Sequence, residues 1–319
     1  MTKILITPTS LQPEKKNPAL ETLKQFTSDL VFNPTGKPLN EEQLIPLLSD
    51  CDGVIAGLDS YTPRVIDACP KLKVISRYGV GYDAVDTAAA KARGIKVTNT
   101  PGTNSEAVGE LTFGLILDLA RQISWLDQET KAGKWVRVTG IELYGRTIGI
   151  VGLGAIGKVV ARTAQGFGMQ VLAYDPYTNA DYCSTHNIKA CTLEELLRNS
   201  DVISLHLPLT RSTIHCIDAA AFAVMKDGVL LVNASRGGII DEDAAYEALK
   251  CGKLRGLGLD AFEQEPPRNS RLFEFGDRVL ATPHTGAHTA EATDHMAHAA
   301  VQNLIDVLTG QECRCIVNP

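Results

Sequence analysis

The 319-residue sequence has no CxxC pair, no basic stretch, no apolar run of membrane-spanning length, and no internal repeat or low-complexity segment. Each absence excludes something. Eight cysteines are present (51, 69, 183, 191, 216, 251, 313 and 315), but their scatter suits the reduced thiols of a cytosol better than an extracellular disulfide framework. Cys313-Arg314-Cys315, the one close pair, reads as part of a solvated tail in preference to a metal or redox site. A net charge of −6 with no basic stripe leaves nothing to neutralise phosphates, so nucleic acid is not an expected partner. Met1-Thr2-Lys3 leads directly into Ile4-Leu5-Ile6, a strand and not a signal segment, so the expectation is a soluble, cytoplasmic protein with no membrane partner. What remains is ordinary globular composition, 44% hydrophobic and 21% charged, at a length that makes two domains the default.

Short apolar runs alternate with helical patterns: Ile4–Ile6, Gly53–Ala56, Lys73–Ser76 and Ile95–Thr98, then Thr147–Val151, Val171–Tyr174, Val202–Leu205, Val229–Val232, Leu257–Leu259 and Val279–Ala281. Such alternation predicts parallel sheets with crossover helices. Between the two series, Pro101, Thr103 and Glu106 form a T-x-x-E capping box ahead of Val108, Leu111, Leu115, Ile116 and Leu119 at helical spacing. Helical periodicity returns from Thr289 to Leu308. The expected organisation is a discontinuous first domain, 1–101 and 288–319, interrupted by a second at 102–287.

Gly152-Leu153-Gly154-Ala155-Ile156-Gly157 follows the run Thr147–Val151 directly, and Asp175 closes the next run 18 residues beyond Gly157. Strand, glycine turn, helix start and acidic strand end together predict a dinucleotide site: the glycines allow a tight turn and close backbone approach, and the helix N-terminus faces the pyrophosphate. Asp175 accepts from the adenosine ribose hydroxyls in this reading. A carboxylate there repels a 2′-phosphate, and Pro176-Tyr177-Thr178 supplies no cation to hold one, so the cofactor expected is NAD.

Hydride transfer to a carbonyl needs a cation to polarise oxygen, a proton donor, and a group that tunes the donor. Arg236, Glu265 and His284 all stand just past strand ends, where open α/β sheets bind ligands. Taken singly, a loop Arg is usually an ion pair, a Glu before Pro-Pro a solvated turn, and a His structural; a shared location beside a dinucleotide site makes them a catalytic set. Glu265 beside His284 favours the imidazolium form. His288 is the rival proton donor, but it falls in the presumed helix start. Glu291, His295 and His298 share a helical face at i, i+4 and i+7, yet nothing in the chemistry requires a metal there, and none is expected.

The glycine turn, Asn233-Ala234-Ser235-Arg236-Gly237-Gly238, Leu259-Asp260-Ala261-Phe262 through Glu265-Pro266, and Thr282-Pro283-His284-Thr285-Gly286-Ala287 resemble, in order, the signatures of the D-isomer-specific 2-hydroxyacid dehydrogenases. The likeness spans essentially the whole chain. It implies an α/β protein in which a Rossmann nucleotide-binding domain is inserted into a flavodoxin-like α/β substrate-binding domain. It implies that Arg236 holds the substrate carboxylate and carbonyl oxygen, that His284 carries the proton, and that Glu265 orients His284; the formate dehydrogenase branch has Gln at that last position. By the same resemblance Ala155 and Ile156 meet the pyrophosphate, and His206, Leu207 and Pro208 flank the adenine. Asp260 holds the carboxamide, and Val80, Ala234, Ser235, Gly286 and Ala287 complete the cofactor contacts. Arg77-Tyr78-Gly79-Val80-Gly81 is similar to the loop whose backbone N–H groups clasp the substrate carboxylate. A homodimer is implied, with Thr103 to Arg121 and the loop around Trp135 crossing the interface.

Gly133-Lys134-Trp135-Val136-Arg137, Gly140 to Gly145 and Pro266-Pro267-Arg268 resemble the catalytic part of the 3-phosphoglycerate dehydrogenases, with Arg77 and Arg137 as cations for a phosphate. Two departures stand beside this. The loop after Gly53–Ala56 reads Gly57-Leu58-Asp59-Ser60, without the usual phosphate-contacting Arg, and Pro319 leaves no room for an appended serine-sensing domain. The resemblance implies a 3-phosphoglycerate dehydrogenase-like activity as the first expectation, with a glyoxylate or hydroxypyruvate reductase as the nearer alternative. An NAD(H)-sensing corepressor is the more distant one, for which the sequence offers neither a peptide groove nor a disordered tail.

Overall fold

The computed structural model describes residues 2–319, in two compact units: 2–104 with 288–319, and 105–287. In the first unit β1 (Lys3–Ile6), β2 (Asp29–Phe32), β3 (Gly53–Ala56), β4 (Val74–Arg77) and β5 (Lys96–Thr98) form an all-parallel sheet in the order β2-β1-β3-β4-β5, the flavodoxin-like order. Ile4, Leu5, Ile6, Val54, Ile55, Val74 and Ile75 are wholly buried because helices cover both faces of such a sheet. Helices α1 (Pro18–Phe26), α2 (Glu41–Leu48), α3 (Pro63–Asp67) and α4 (Thr87–Ala92) start at side-chain caps from Asn17, Asn40, Thr62 and Asp86.

The second unit opens with α5 (Ser105–Arg121) and α6 (Ile123–Lys131). Then follow β6 (Thr147–Val151), α7 (Ala155–Gly166), β7 (Gln170–Tyr174), α8 (Ala180–Thr185), β8 (Ile188–Ala190), α9 (Leu193–Asn199), β9 (Val202–Leu205), α10 (Ala219–Val224), β10 (Val229–Asn233), α11 (Glu242–Lys250), β11 (Leu254–Leu259) and β12 (Val279–Ala281). Seven parallel strands lie in the order β12-β11-β10-β9-β6-β7-β8, a Rossmann sheet whose direction of winding reverses between β6 and β9. The chain re-enters the first unit as α12 (Ala290–Thr309), whose Ala297, Ala300, Val301 and Leu304 pack with Ile4, Ile6 and Val74.

Three local expectations are corrected. The capping box at Thr103 and Glu106 does not form: α5 begins at Ser105, the Thr103 hydroxyl donates to the Thr100 carbonyl, and Glu106 pairs with Arg162. His288 lies ahead of α12, not within its start, because Thr289 caps that helix by accepting from Ala292 N–H. The segment around Cys313 and Cys315 is no solvated tail. Ile316 bridges to Thr98, Val317 N–H donates to Val97 C=O, and buried Asn318 accepts from Val97 N–H at 2.7 Å while donating to Ile95 C=O at 2.9 Å. Among the described residues no helix is long and apolar enough to cross a membrane.

Candidate active site

At the switch point, Gly152 has φ +99°, and a Cβ there would lie 2.5 Å from the His206 carbonyl oxygen. A Cβ on Gly157 would lie 2.1 Å from the Gly152 carbonyl oxygen, so helix α7 can approach β6 this closely only with glycine at that place. At Gly154 a Cβ would meet nothing within 4 Å, which leaves the N-terminus of α7 open. Asp175, past the end of β7, accepts from Leu153 N–H at 2.8 Å and Tyr177 N–H at 2.8 Å, so its carboxylate is fixed against the glycine turn. An open helix N-terminus with a carboxylate pinned beside it fits the pyrophosphate and ribose of a dinucleotide.

On the other side of the switch point stands His206, just past β9. Its Nε2 lies 2.8 Å from Ser204 Oγ and its Nδ1 is buried without a partner, and burial pushes its pKa down to about 4. The imidazole is therefore neutral at ordinary pH. Leu207 and Pro208 follow it, the first buried and the second exposed.

The next three strand ends lead to Arg236, Glu265 and His284. At the end of β10, Asn233 makes an Asx turn: its Oδ1 accepts from Ser235 N–H at 3.1 Å and Ser235 Oγ at 2.7 Å, while its Nδ2 donates to Arg236 C=O at 2.7 Å. Ala234 and Ser235 are thereby locked into the turn that presents Arg236. Past β11, Asp260 is buried and accepts from Thr282 Oγ at 2.6 Å, Thr285 N–H at 2.8 Å and Gly286 N–H at 2.8 Å. It thus ties down the turn past β12, where His284 has φ +51°, a left-handed conformation that costs a non-glycine residue energy and persists because its neighbours are fixed. His284 Nδ1 lies 3.0 Å and 2.9 Å from the two Glu265 carboxylate oxygens. Burial pushes the Glu265 carboxyl up, but the His284 hydrogen bond and charge, Phe262 N–H and the Arg236 charge outweigh it, and the net position is below the ordinary value. Glu265 and His284 are therefore brought together, and the Arg236 charge reaches Glu265.

In the first unit, Val80 and Gly81 lie in the loop past β4. Asn99 Nδ2 donates to Val80 C=O at 2.8 Å and Arg77 Nε to Gly81 C=O at 2.9 Å. Arg77 is only 4% exposed and also donates to Ala56 C=O at 2.6 Å, so it braces this loop from inside; the expectation that it offers its charge to a phosphate is corrected. Arg137 lies in an exposed segment tied through Thr139 C=O, which accepts from Arg255, to the amino-terminal end of β11, the end opposite Asp260, and through Ile141 N–H, which donates to Ala120 C=O, to α5. Within one chain it does not join Arg236. On α12, His298 Nε2 lies 3.6 Å from Asp294, and no group of three or more metal-ligating side chains is found among the described residues. The brace at Asn233 and the triple acceptor at Asp260 escaped the sequence reading, although Asn two residues before Ser is a recognisable Asx-turn signal.

A family described as D-isomer specific 2-hydroxyacid dehydrogenase, NAD binding domain, matches residues 113–286, more than half of the chain. The chain belongs to the D-isomer-specific 2-hydroxyacid dehydrogenases. It is an NAD-dependent oxidoreductase of that family, with NAD as its cofactor. It is 42% identical over 284 residues to D-3-phosphoglycerate dehydrogenase of Methanocaldococcus jannaschii, covering 88% of this chain and 54% of that protein. It is 42% identical over 279 residues to hydroxypyruvate reductase of Thermotoga maritima, covering 86% and 90%. The chain thus spans about half the length of the phosphoglycerate dehydrogenases it matches and most of the length of the reductases. Among solved structures, D-lactate dehydrogenase from Aquifex aeolicus, complexed with NAD and lactic acid, superposes with TM-score 0.89 at 31% identity over 99% of both chains.

Proposed function

We propose that this dehydrogenase interconverts a small, unphosphorylated D-2-hydroxy acid and its 2-oxo acid at the carboxyl ends of β10, β11 and β12. The carrying observation is the doubly held Nδ1 of His284, which leaves Nε2 to face the reacting oxygen. Bound NADH supplies the hydride that reduces C2 of the oxo acid. His284 gives its Nε2 proton to the carbonyl oxygen, Glu265 keeps its charge and holds the ring, and Arg236 offsets charge on the carboxylate and the developing alkoxide. Oxidation runs the same proton path in reverse. In this reading residues 105–287 bind the cofactor. Gly154 to Ile156 take the pyrophosphate, Asp175 the ribose, and His206 to Pro208 the adenine side. Ala234, Ser235, Asp260, Gly286 and Ala287 take the nicotinamide side.

Two observations favour an unphosphorylated acid: Arg77 is turned inward, and the loop past β3 shows Leu58, 53% exposed, where a cation would be needed. A phosphoglycerate substrate is the second reading. It is favoured by Arg137 on an exposed segment that also bears Trp135, 82% exposed, and Val136, 40% exposed, an apolar surface suited to a homodimer in which Arg137 serves the partner's site. Initial rates of NADH oxidation with glyoxylate, hydroxypyruvate and 3-phosphohydroxypyruvate test both. Arg236→Ala is expected to cost about 1,000-fold in kcat/KM. An unchanged rate refutes the assignment of Arg236, and a preference for the phosphorylated acid that Arg137→Ala abolishes through KM establishes the second reading. No oxidation with any 2-oxo acid returns the corepressor alternative.

A further inference from the structure

We propose that Glu263 and His215 are positioning residues that fix the loop past β11 so that Glu265 meets His284. This rests on the reading of Glu265 as the group that orients the proton carrier.

Residues 261–270 form neither helix nor strand, and Glu265 accepts from Phe262 N–H at 3.1 Å, a bond internal to that same loop. Internal bonds cannot anchor a loop to the body of the unit. The anchor is two residues earlier. Glu263 N–H donates to Glu242 Oε1 at 2.8 Å, and Glu242 N–H, in the first turn of α11, donates back to Glu263 Oε1 at 3.3 Å. That oxygen also lies 2.9 Å from His215 Nε2. A carboxylate at the start of α11 is favoured by the helix dipole, and the backbone exchange with Glu242 fixes the loop in register. His215 is itself seated: its N–H donates to Gly238 C=O at 2.7 Å, and its φ is +49°.

The same region leaves no slack on its inner side. A Cβ on Gly237 would lie 1.9 Å from the Phe262 carbonyl oxygen and 2.6 Å from Glu263 N, so the loop rests directly on the turn that presents Arg236. Burial first, then the Glu263 and Asp243 charges, push the Glu242 carboxyl above its ordinary value against the Glu263 N–H bond. His215 is the cation-capable partner of this acidic group. Removing either Glu263 or His215 frees the segment that ends at Glu265, and a displacement of about 1 Å there is enough to lower turnover substantially.

The test compares Glu263→Ala, Glu263→Gln, His215→Ala and Glu265→Gln by kcat, by KM for the 2-oxo acid, by NADH affinity from fluorescence, and by the pH profile of the reduction. Glu263→Ala is expected to lower kcat about 10-fold with NADH affinity unchanged. It is also expected to move the high-pH limb of the profile in the direction that Glu265→Gln moves it, a readout that loss of packing alone does not shift. Glu263→Gln keeps the acceptor and is expected to recover most of kcat. Should Glu263→Ala fail to fold, His215→Ala, at a side chain 45% exposed, carries the test with an expected loss of about 3-fold. Wild-type kcat and pH profile in these variants, beside an impaired Glu265→Gln, overturn the proposal alone. A Glu265→Gln enzyme with wild-type behaviour overturns the underlying reading of Glu265 and the proposal with it.

Discussion

Replacing His206 by Gln should relieve the second unit of an acid sensitivity that the structure lets one size in advance. The residue is half-buried with its Nδ1 shut off from solvent and without a partner, and its pKa falls from 6.5 to about 4 because desolvation penalises the charged ring. Above pH 6.5 both folded and unfolded states hold it neutral, and the residue adds no pH dependence. Between 6.5 and about 4 the unfolded chain binds a proton that the folded chain refuses, so stability falls as pH falls. At about pH 4.5 the penalty amounts to about 2.5 kcal/mol, since every pH unit crossed in that interval costs about 1.4 kcal/mol and most of the interval then lies behind. Below the folded value both states are protonated and the loss levels off. Urea unfolding of wild type and His206→Gln at about pH 8 and pH 4.5 isolates this contribution as a double difference, because every other acid-sensitive group is common to both proteins. Gln keeps a polar contact with Ser204 while removing the titration. A double difference near zero would refute the claim that burial holds this ring neutral.

The remaining predictions use the same reasoning. Gly157→Ala places a methyl group 2.1 Å from the Gly152 carbonyl oxygen, so α7 must move; NAD affinity by titration calorimetry should fall at least about 10-fold and the unit should lose about 1–3 kcal/mol, and an unchanged Kd would contradict the close approach. Asn318→Ala leaves Val97 N–H and Ile95 C=O without their partner in a buried position, at a cost of about 2–4 kcal/mol in urea unfolding; an unchanged midpoint would show that the segment adds nothing to the sheet. Burial pushes the Cys51 and Cys69 thiols up to about 11, so a thiol reagent at about pH 8 should label exposed Cys251 long before either; labelling at equal rates would refute this.

How much could be read in the chain beforehand follows from how local each signal is. The runs Ile4–Ile6, Gly53–Ala56 and Val229–Val232 announced themselves because central parallel strands are buried on both faces. β2 and β8 did not: they are edge strands of four and three residues, and Asp29–Phe32 is only half-buried throughout. The glycine turn with Asp175 was legible because its parts lie within one β-α-β unit, and the grouping of Arg236, Glu265 and His284 because all three follow strand ends. Arg77 was misjudged since its acceptor, Ala56 C=O, sits on the neighbouring strand 21 residues away, and sequence shows a charge without showing which way it turns. Asn318 finds its partner 221 residues away, beyond any local pattern.

The interrupted architecture of the first unit fixes the order in which the two units can mature. Its core needs Ala297 to Leu304, and its last strand needs Ile316 to Asn318, whereas the second unit has all its residues once Ala287 has left the ribosome. All of 105–287 therefore emerges from the ribosome before the segments that seal its companion, and the newborn chain holds an exposed half-built sheet during that interval. Limited proteolysis of ribosome-bound chains stalled so that residue 287 has emerged and residue 297 has not should find 105–287 protected and 1–104 cleaved, a vulnerability set by chain order and not by stability.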